Sequence, residues 1–242
     1  MCEYDTDGNL IKQIDPNGGE TIYTYDKMGR VTSELNAIGS KNTYTYNALG
    51  LLEESFNARN QKSKYTYDVL GRIKIVEDEA GTITYTYDDN DNIEEIIEKT
   101  ADGKTYKTTR TYDELNRVTS CTDYKGNTVK YSYDELGNLI SLTYPGGEIV
   151  RYEYYANGNL KKVIDSSNRE TLYEYDAVGN LIKKTRPNGT TEERKYDEKY
   201  QLIEQIEKDK EGNELSHLKY TYDDKGNIIK TEGYKETEEG IE

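Results

Sequence analysis

The sequence predicts an all-β fold, a continuous antiparallel β-hairpin meander that coils into a solenoid or hollow spiral shell. Three observations predict it. The chain holds 25 Tyr against one Phe and no Trp, and tyrosine favours strands. The tyrosines recur at a nearly constant spacing, and turn signals recur at about half of that spacing.

Composition alone would predict a disordered chain. Hydrophobic and charged residues each make up 33% of the 242 residues, and this balance is typical of disorder. The tyrosine content argues against disorder. The net charge of -15, with Lys and Arg scattered singly, argues against a nucleic-acid partner. No apolar run reaches the roughly 18 residues of a membrane span.

The termini and cysteines give little further information. The start, Met1-Cys2-Glu3-Tyr4, has no charged and then apolar signal segment. We therefore expect export by another route, or a piece excised from a larger protein. Cys2 and Cys121 are too few and too far apart for a disulfide framework or a zinc site. We expect no metal and no cofactor.

Eleven tyrosines mark the repeat. Successive members are separated by 21, 21, 21, 20, 25, 21, 21, 21, 21 and 26 residues. They are Tyr4, Tyr25, Tyr46, Tyr67, Tyr87, Tyr112, Tyr133, Tyr154, Tyr175, Tyr196 and Tyr222. A register kept this closely indicates one structural unit copied along the chain.

Each unit reads Tyr-Asp-x-x-Gly-Asn/Arg-Leu/Val/Ile, as in the segment from Tyr25 to Val31. Asp or Asn at the first position of a type I turn caps the turn, and Gly three residues later takes the left-handed conformation of a bulged hairpin. The motif therefore predicts a hairpin corner. The residues that we assign to the structural repeat are Tyr4, Asp5, Gly8, Tyr25, Asp26, Gly29, Tyr46, Asn47, Gly50, Tyr67, Asp68, Gly71, Tyr133, Asp134, Gly137, Tyr175, Asp176, Gly179, Tyr222, Asp223 and Gly226.

A second turn of the same type is predicted halfway through each unit. It begins at Asp15, Asn36, Asp78, Asp123 and Arg186. The six or seven residues between turns suit a strand and are too few for a helical crossover, so about 22 antiparallel strands follow. At about 4.8 Å per strand, a sheet of this many strands must coil, since open twisted sheets rarely exceed about ten.

The alternation predicts two unlike faces. We expect Tyr25 to face Val31 and Tyr23 to face Ser33, so that Tyr23, Tyr25, Val31 and Leu35 share one face. Like residues then form a tyrosine ladder across repeats. The other face, with residues such as Thr24, Thr32 and Glu34, is expected to be the more hydrated one.

Some units depart from the rule. Extra residues lie in the stretches Thr100 to Arg110 and Lys208 to Leu218, the first near Thr105 and the second containing the one histidine, His217. Units at Asp91, Asn116 and Tyr200 lack the turn Gly, and Tyr fits a left-handed conformation poorly. We expect locally altered turns there. We assign residues 1–230 to the repeat array and residues 231–242 to a charged C-terminal tail.

The motif and its period resemble the RHS/YD-repeat family, which includes bacterial RHS toxins, the C subunits of Tc toxins, wall-associated proteins and the animal teneurins. The resemblance covers Tyr4 to about Lys230. It implies a β-sheet strip wound into a hollow shell around a C-terminal toxin or other cargo domain. It also implies a secreted or bacterial cell-surface or cell-wall protein, whose partners are its own remaining repeats and its cargo domain.

The bacterial members end their shell with an Asp-Pro-x-Gly motif beside a self-cleavage site. Asp15-Pro16-Asn17-Gly18 spells these letters, but it lies near the start and ten more repeats follow it. We interpret it as an ordinary turn. The resemblance therefore implies the shell and not the processing or the toxicity.

Candidate chemistry is sparse. The repeated Asp residues are explained by turn capping, and the segment Asp88 to Asn92 lacks the Gly and Glu of a calcium loop. A lone His217 makes neither a triad nor a metal site. We therefore predict a non-enzymatic structural segment of a shell. The alternative is a carbohydrate-binding or adhesion module in which Tyr23, Tyr44 and Tyr65 stack on glycans, and a weaker third idea is an enzyme site in the insertions near Thr105 and His217.

Overall fold

The structure, a computed structural model, describes residues 1–237 and 240–241, with side chains described as far as residue 234. It divides into two compact units, Met1–Asn127 and Thr128–Glu242. Every element in the described residues is a β-strand. The predicted fold class, an all-β hairpin meander, is confirmed.

The first unit contains twelve strands. They are β1 (Cys2–Tyr4), β2 (Leu10–Ile14), β3 (Glu20–Tyr25), β4 (Val31–Leu35), β5 (Lys41–Tyr46), β6 (Leu52–Phe56), β7 (Lys62–Tyr67), β8 (Ile73–Asp78), β9 (Gly81–Tyr87), β10 (Ile93–Thr100), β11 (Thr105–Tyr112) and β12 (Val118–Thr122). Each pairs antiparallel with the strand before it and the strand after it in this unit.

The second unit repeats the same plan. Its strands are β13 (Thr128–Tyr133), β14 (Leu139–Thr143), β15 (Ile149–Tyr154), β16 (Leu160–Ile164), β17 (Glu170–Tyr175), β18 (Leu181–Thr185), β19 (Thr191–Tyr196), β20 (Leu202–Lys208), β21 (Glu214–Tyr222), β22 (Ile228–Thr237) and β23 (Gly240–Ile241). Neighbours within the unit again pair antiparallel.

Two sets of turns join the strands. We call the turn that follows each repeat tyrosine a YD corner, and the turn halfway through the unit a mid-repeat turn. At the YD corner of Asp26, the Gly29 amide donates to the Asp26 carbonyl (3.1 Å), and Gly29 has a φ of 76°. The mid-repeat turn at Asp15 is built in the same way, with the Gly18 amide 3.1 Å from the Asp15 carbonyl. These two turns, on opposite edges of the sheet, therefore share one geometry.

The expected distortions at the corners without glycine are not found. Asp91, Asn116 and Tyr200 take φ values of 68°, 61° and 62°, and the Tyr200 amide still donates to the Asp197 carbonyl at 3.0 Å. That expectation was wrong. The Asp197 side chain receives two further backbone amides, and this bonding offsets the cost of about 1–2 kcal/mol for a left-handed non-glycine residue.

The turn at Asp78 also differs from its prediction. Asp78 pairs directly with Gly81, so only two residues form the loop, and Gly81 has a φ of 146° instead of the usual left-handed value. This unit, from Tyr67 to Tyr87, is one residue shorter than the usual 21. The unit is therefore shortened at its mid-repeat turn and not at its YD corner.

The pairing within a hairpin differs by one residue from the prediction. Tyr25 faces Val31 as expected, but Tyr23 faces Glu34 and not Ser33. The cause is a β-bulge, since the Thr24 hydroxyl contacts both Thr32 (2.8 Å) and Ser33 (2.7 Å), so two residues oppose one.

The bulge moves every later residue of β4 to the other face. Glu34 therefore lies on the tyrosine face, and Leu35, which pairs with Ile22, lies on the opposite face. The predicted grouping of Leu35 with the tyrosines, and of Glu34 with the hydrated face, was wrong.

The burial pattern is that of a sheet with no second layer packed on it in the described residues. In β3, Tyr23 and Tyr25 are half-buried while the alternate residues are exposed, and β7 and β17 repeat this alternation. Among the residues described, no apolar side chain is fully buried. Stability in each unit therefore comes from contacts between neighbouring hairpins and not from a central core.

The insertions lengthen hairpins. β10 and β11 have eight residues each, and β21 has nine. β22 pairs along β21 as far as Lys235 and continues to Thr237, past the boundary placed at residue 230. The repeat array thus extends into the segment that was assigned to the tail, because the longer β21 offers backbone partners there. Residues 238, 239 and 242 of that tail lie outside the described residues.

Candidate functional site

The YD corners carry the contact that recurs most regularly between repeats. The hydroxyl of the repeat tyrosine donates to the backbone carbonyl of the residue that opens the second strand of the preceding hairpin. Tyr46, for example, donates to Val31 at 2.8 Å. The same bond is made by Tyr25, Tyr67, Tyr87, Tyr112, Tyr154, Tyr196 and Tyr222, at 2.6–3.0 Å.

The acceptor carbonyl is available because the ladder between consecutive hairpins ends before the corner. The pairing of β4 with β5 ends at Ser33 and Thr43, whereas β5 pairs with β6 as far as Tyr46. Val31 therefore has no strand partner on the β5 side. An unpaired carbonyl in a partly buried site is costly, and the Tyr46 hydroxyl supplies the missing donor.

The Asp of the corner holds the turn with both carboxylate oxygens. Asp26 Oδ1 accepts the amides of Met28 (2.8 Å) and Arg30 (3.1 Å), and Oδ2 accepts Arg30 Nε at 2.7 Å. Where Asn follows the glycine, its side chain takes the place of Arg, as Asn9 does with Asp5 at 2.9 Å. These hydrogen bonds lower the pKa of Asp26 and Asp5, since they favour the charged carboxylate.

The corner arginines join one repeat to the next, a role that the sequence analysis did not assign. The Arg30 guanidinium lies 4.6 Å from the ring centre of Tyr46, and that of Arg72 lies 4.3 Å from the ring of Tyr87. Both are cation–π contacts. Arg72 also pairs with Asp91 at the next corner. The available signal was the alternation of Arg and Asn at one fixed position of the motif.

One corner of the second unit uses a different contact. Tyr155 stands where the other corners carry Asp or Asn, and its hydroxyl donates to the Tyr173 carbonyl at 3.1 Å. Its ring meets that of Tyr175 edge to face, with centres 6.3 Å apart. The aromatic contact thus connects these two repeats where the usual carboxylate is absent.

The inner tyrosines that we predicted for glycan stacking lie together in the first unit. Tyr23, Tyr44 and Tyr65 share one face in successive repeats, and all three are half-buried. Tyr44 faces Ser55 across the hairpin, and burial together with the charge of Glu34 raises the pKa of Tyr44. The face is therefore a partly covered aromatic surface with acidic and hydroxyl groups between the rings.

His217 belongs to an ion-pair group in the longer hairpin of the second unit. Its Nε2 lies 2.8 Å from Glu204 Oε1, and its Nδ1 lies 3.5 Å from Glu214 Oε2. Glu204 also binds Lys195 at 2.5 Å, and Lys195 and His217 lower the pKa of Glu204. The histidine is thus held between two strands by charged partners.

The other candidate chemistry is accounted for by turns. Asp88, at the start of the segment that resembles a calcium loop, accepts the amides of Asn90 and Asn92, both at 2.9 Å. Asp15 of the Asp-Pro-x-Gly segment caps its turn in the same way. In the described part of the chain, no three His, Cys, Asp or Glu side chains are grouped so as to hold a metal ion. No helix there has the length and apolar character that a bilayer crossing requires.

These features define a repeat-built β-sheet strip whose successive hairpins are joined at their corners. The Teneurin YD-shell family model matches residues 41–192, and the RHS Repeat model matches residues 4–41. The first match covers more than half of the chain, so the chain belongs to the Teneurin YD-shell family. No curated protein sequence matches it.

Solved structures show the same fold. The chain is similar to part of the Photorhabdus luminescens Tc holotoxin pore, with a TM-score of 0.64 and 17% identity over 98% of this chain and 15% of that one. It is also similar to part of a TcdB2-TccC3 crystal structure, with a TM-score of 0.51 and 16% identity over 97% of this chain and 18% of that one. The chain thus spans less than a fifth of the length of either structure. The predicted family and the structural shell fold are confirmed.

Removal of one corner hydroxyl is expected to weaken the array locally. Tyr46→Phe keeps the ring but leaves the Val31 carbonyl without its donor, which costs about 1–3 kcal/mol when the group is buried and less here, where it is partly buried. We expect a lower urea midpoint of unfolding. Tyr23→Phe is the matched control, because its hydroxyl makes no hydrogen bond among the described residues, and equal shifts in the two variants would contradict the corner contact.

Acid is expected to destabilise the corners. The pKa values of Asp26, Asp68 and Asp113 are lowered below 3.8 in the folded chain. These carboxylates therefore stabilise the fold fully at a pH above their pKa in the unfolded chain. That stability is lost as the pH falls through their lower pKa values in the folded chain. Thermal midpoints measured from about pH 5 down to about pH 2 should fall. In the triple variant Asp26→Asn, Asp68→Asn, Asp113→Asn, the thermal midpoint should fall less over the same pH range.

The triple variant should still form its turns, because Asn36 and Asn47 cap the same turn with the same backbone bonds. Asp7→Asn serves as the control, since this exposed carboxylate caps no turn. If the triple variant lost as much stability in acid as the unmodified chain, corner carboxylates would not be the cause.

Proposed function

We propose that this chain is a wall segment of a YD-repeat shell that encloses or displays a toxin, effector or other cargo domain, and that it catalyses no reaction itself. The observation that supports this most is the corner contact, repeated in both units at 2.6–3.0 Å. It uses the residues that define the repeat to hold hairpin to hairpin. A wall needs such contacts between consecutive hairpins, and an enzyme site does not need the same contact at eight corners.

The state of the carboxylates supports a structural role. A general acid needs a raised pKa and access to substrate. Corner residues such as Asp26, Asp68 and Asp113 instead have lowered pKa values, and the oxygens of Asp68 are occupied by two backbone amides and a side chain. They are capping groups that stay ionised.

The partners of the segment follow from its size. It matches 15–18% of the length of the similar toxin structures, so a parent protein of that kind supplies the remaining repeats and the cargo domain. A shell of this family fits a secreted protein or one at the bacterial cell surface or cell wall. The edge strand β1, which is exposed and has only three residues, offers backbone groups for pairing with a further repeat.

Limited proteolysis of the polypeptide that carries this segment tests the wall function. The cargo domain should resist protease while the repeats are intact and should become cleavable when Tyr46, Tyr67 and Tyr87 are all replaced by Ala, because this removes three consecutive corner contacts. Tyr23→Phe should leave the cargo protected. Cleavage of the cargo at one rate in the unmodified protein, in the triple variant and in the isolated cargo domain would rule out enclosure.

Glycan binding is the second candidate function. The feature in its favour is the row of Tyr23, Tyr44 and Tyr65, whose rings are half-buried and not fully covered. Aromatic rings of this exposure can stack on sugars. Binding of the chain to a glycan array, and its loss in a Tyr23 and Tyr44 double substitution, would be the supporting result.

A further inference from the structure

A cleft of about 430 Å³ lies between two consecutive YD corners of the second unit. This volume falls within the range of about 300–1,000 Å³ that is usual for ligand sites. We call the cleft the Tyr155 cleft, after the unusual residue of its first corner. The residues that line it and carry polar groups or aromatic rings are Tyr155, Asn157, Asn159, Glu174, Tyr175 and Asp176.

Tyr155 removes a carboxylate that the neighbouring corner uses. At that corner Asp176 accepts two backbone amides and, at 2.8 Å, the side-chain nitrogen of Asn180. At the Tyr155 corner the Asn159 amide donates to Asn157 Oδ1 at 3.1 Å. The Asn157 amide and the side-chain nitrogen of Asn159 have no acceptor among the described residues. Two N–H donors of this corner are therefore available to a ligand.

The same substitution places an aromatic ring beside these donors. Tyr155 is 38% exposed, its ring meets that of Tyr175 edge to face, and its hydroxyl is bound to the Tyr173 carbonyl. The ring is thus held in place while part of it stays accessible. The turn does not require it, since Asp or Asn fills this position at the other ten corners. A residue that breaks a local rule in this way is expected at a functional site.

The charges around the cleft favour an uncharged ligand. Glu174, which makes no ion pair among the described residues, and Asp176 would repel an anion, as would the net charge of -15. A cation would compete with Lys161, whose ammonium lies 5.9 Å from the centre of the Tyr155 ring. A purely apolar ligand would cover the polar groups without replacing their hydrogen bonds to water. The ligand that remains has an apolar face and groups that both donate and accept.

We propose that the Tyr155 cleft binds a neutral saccharide. The C–H groups on one face of a sugar ring pack on the Tyr155 ring, whose π-system is negative on its face. Sugar hydroxyls both donate and accept, so they accept from the Asn157 amide and the Asn159 side chain and donate to Glu174. One stacked ring and a few hydrogen bonds make this a weak, reversible site.

A ¹⁵N–¹H NMR titration of the whole chain with maltotriose, cellotriose and triacetylchitotriose tests the proposal. At least one sugar should bind with a Kd on the order of 1 mM, and it should shift the signals of the Asn157 amide and the Asn159 side chain. Trigalacturonate, a trisaccharide of similar size with three carboxylates, should bind more weakly. Equal binding of trigalacturonate would contradict the choice of an uncharged ligand.

Tyr155→Asp is the decisive variant, because it restores the residue that the other corners carry and should fold. It removes the ring and occupies the two donors, so binding should weaken at least about tenfold, which corresponds to about 1.4 kcal/mol. Tyr155→Phe keeps the ring and should bind as the unmodified chain does. Asn159→Ala keeps the ring and removes one donor, and it should also weaken binding. Far-ultraviolet circular dichroism checks that each variant is folded.

The matched control is the double variant Tyr23→Ala, Tyr44→Ala, which removes rings from the first unit and should leave this binding unchanged. The absence of shifts at Asn157 and Asn159 with all three neutral sugars, up to their solubility limits, would overturn the proposal. Equal binding by Tyr155→Asp, or loss of binding in the double variant, would also overturn it. The proposal rests neither on the wall function nor on the row of Tyr23, Tyr44 and Tyr65, and none of these results bears on protection of a cargo.

Discussion

The structure depends on how the hairpins of each unit are joined, given that no apolar side chain among the described residues is fully buried. Backbone ladders hold each hairpin up to its YD corner, but the ladder between consecutive hairpins ends before the corner and leaves one carbonyl without a strand partner there. The repeat tyrosine closes that gap, because its ring lies against the neighbouring hairpin and its hydroxyl reaches the carbonyl. At eight corners the tyrosine thereby joins a repeat to the one before it, and the array is stabilised by nearest-neighbour contacts.

This requirement explains the composition. The corner needs an aromatic body that packs on a strand and a hydroxyl at its far end, and tyrosine alone combines the two. Phenylalanine would fill the space and leave the carbonyl without a donor. Repeating that corner accounts for eleven of the 25 Tyr in the chain. The same logic explains the acidic corners, where a carboxylate accepts two amides and a side chain.

Period, turn chemistry and strand direction could be read from the sequence because they are local properties. Gly29 and Asp26 specify a turn by themselves, whatever lies around them. The register beyond the corner was not read correctly, because a bulge follows the corner whether Thr24, Glu174 or Lys195 stands beside it, so no one side-chain type marks it. At the YD corners, the period of the repeat was enough to identify the repeat tyrosines. Their acceptors, and the stacking of Arg30 on Tyr46, depend on how consecutive hairpins diverge.

The corner residues are thus used twice. Their polar groups hold the strip together, which fits a wall in a shell, and the apolar positions beside them face outwards in the first unit. At the Tyr155 corner the turn keeps its backbone hydrogen bonds although the capping carboxylate is absent. A repeat of this kind can vary its outward side chains for contacts with other proteins while its fold stays the same.

The central claim is that each repeat is stabilised by its immediate neighbours through the tyrosine corner. Native-state hydrogen exchange on the chain with Tyr67→Ala tests it most directly, because the Tyr67 hydroxyl binds the Leu52 carbonyl at 2.8 Å. Faster exchange should appear in β6, β7 and β8 and fade within a repeat on either side, with β2 unchanged. A uniform rise across the first unit, or no change near Leu52, would contradict the account.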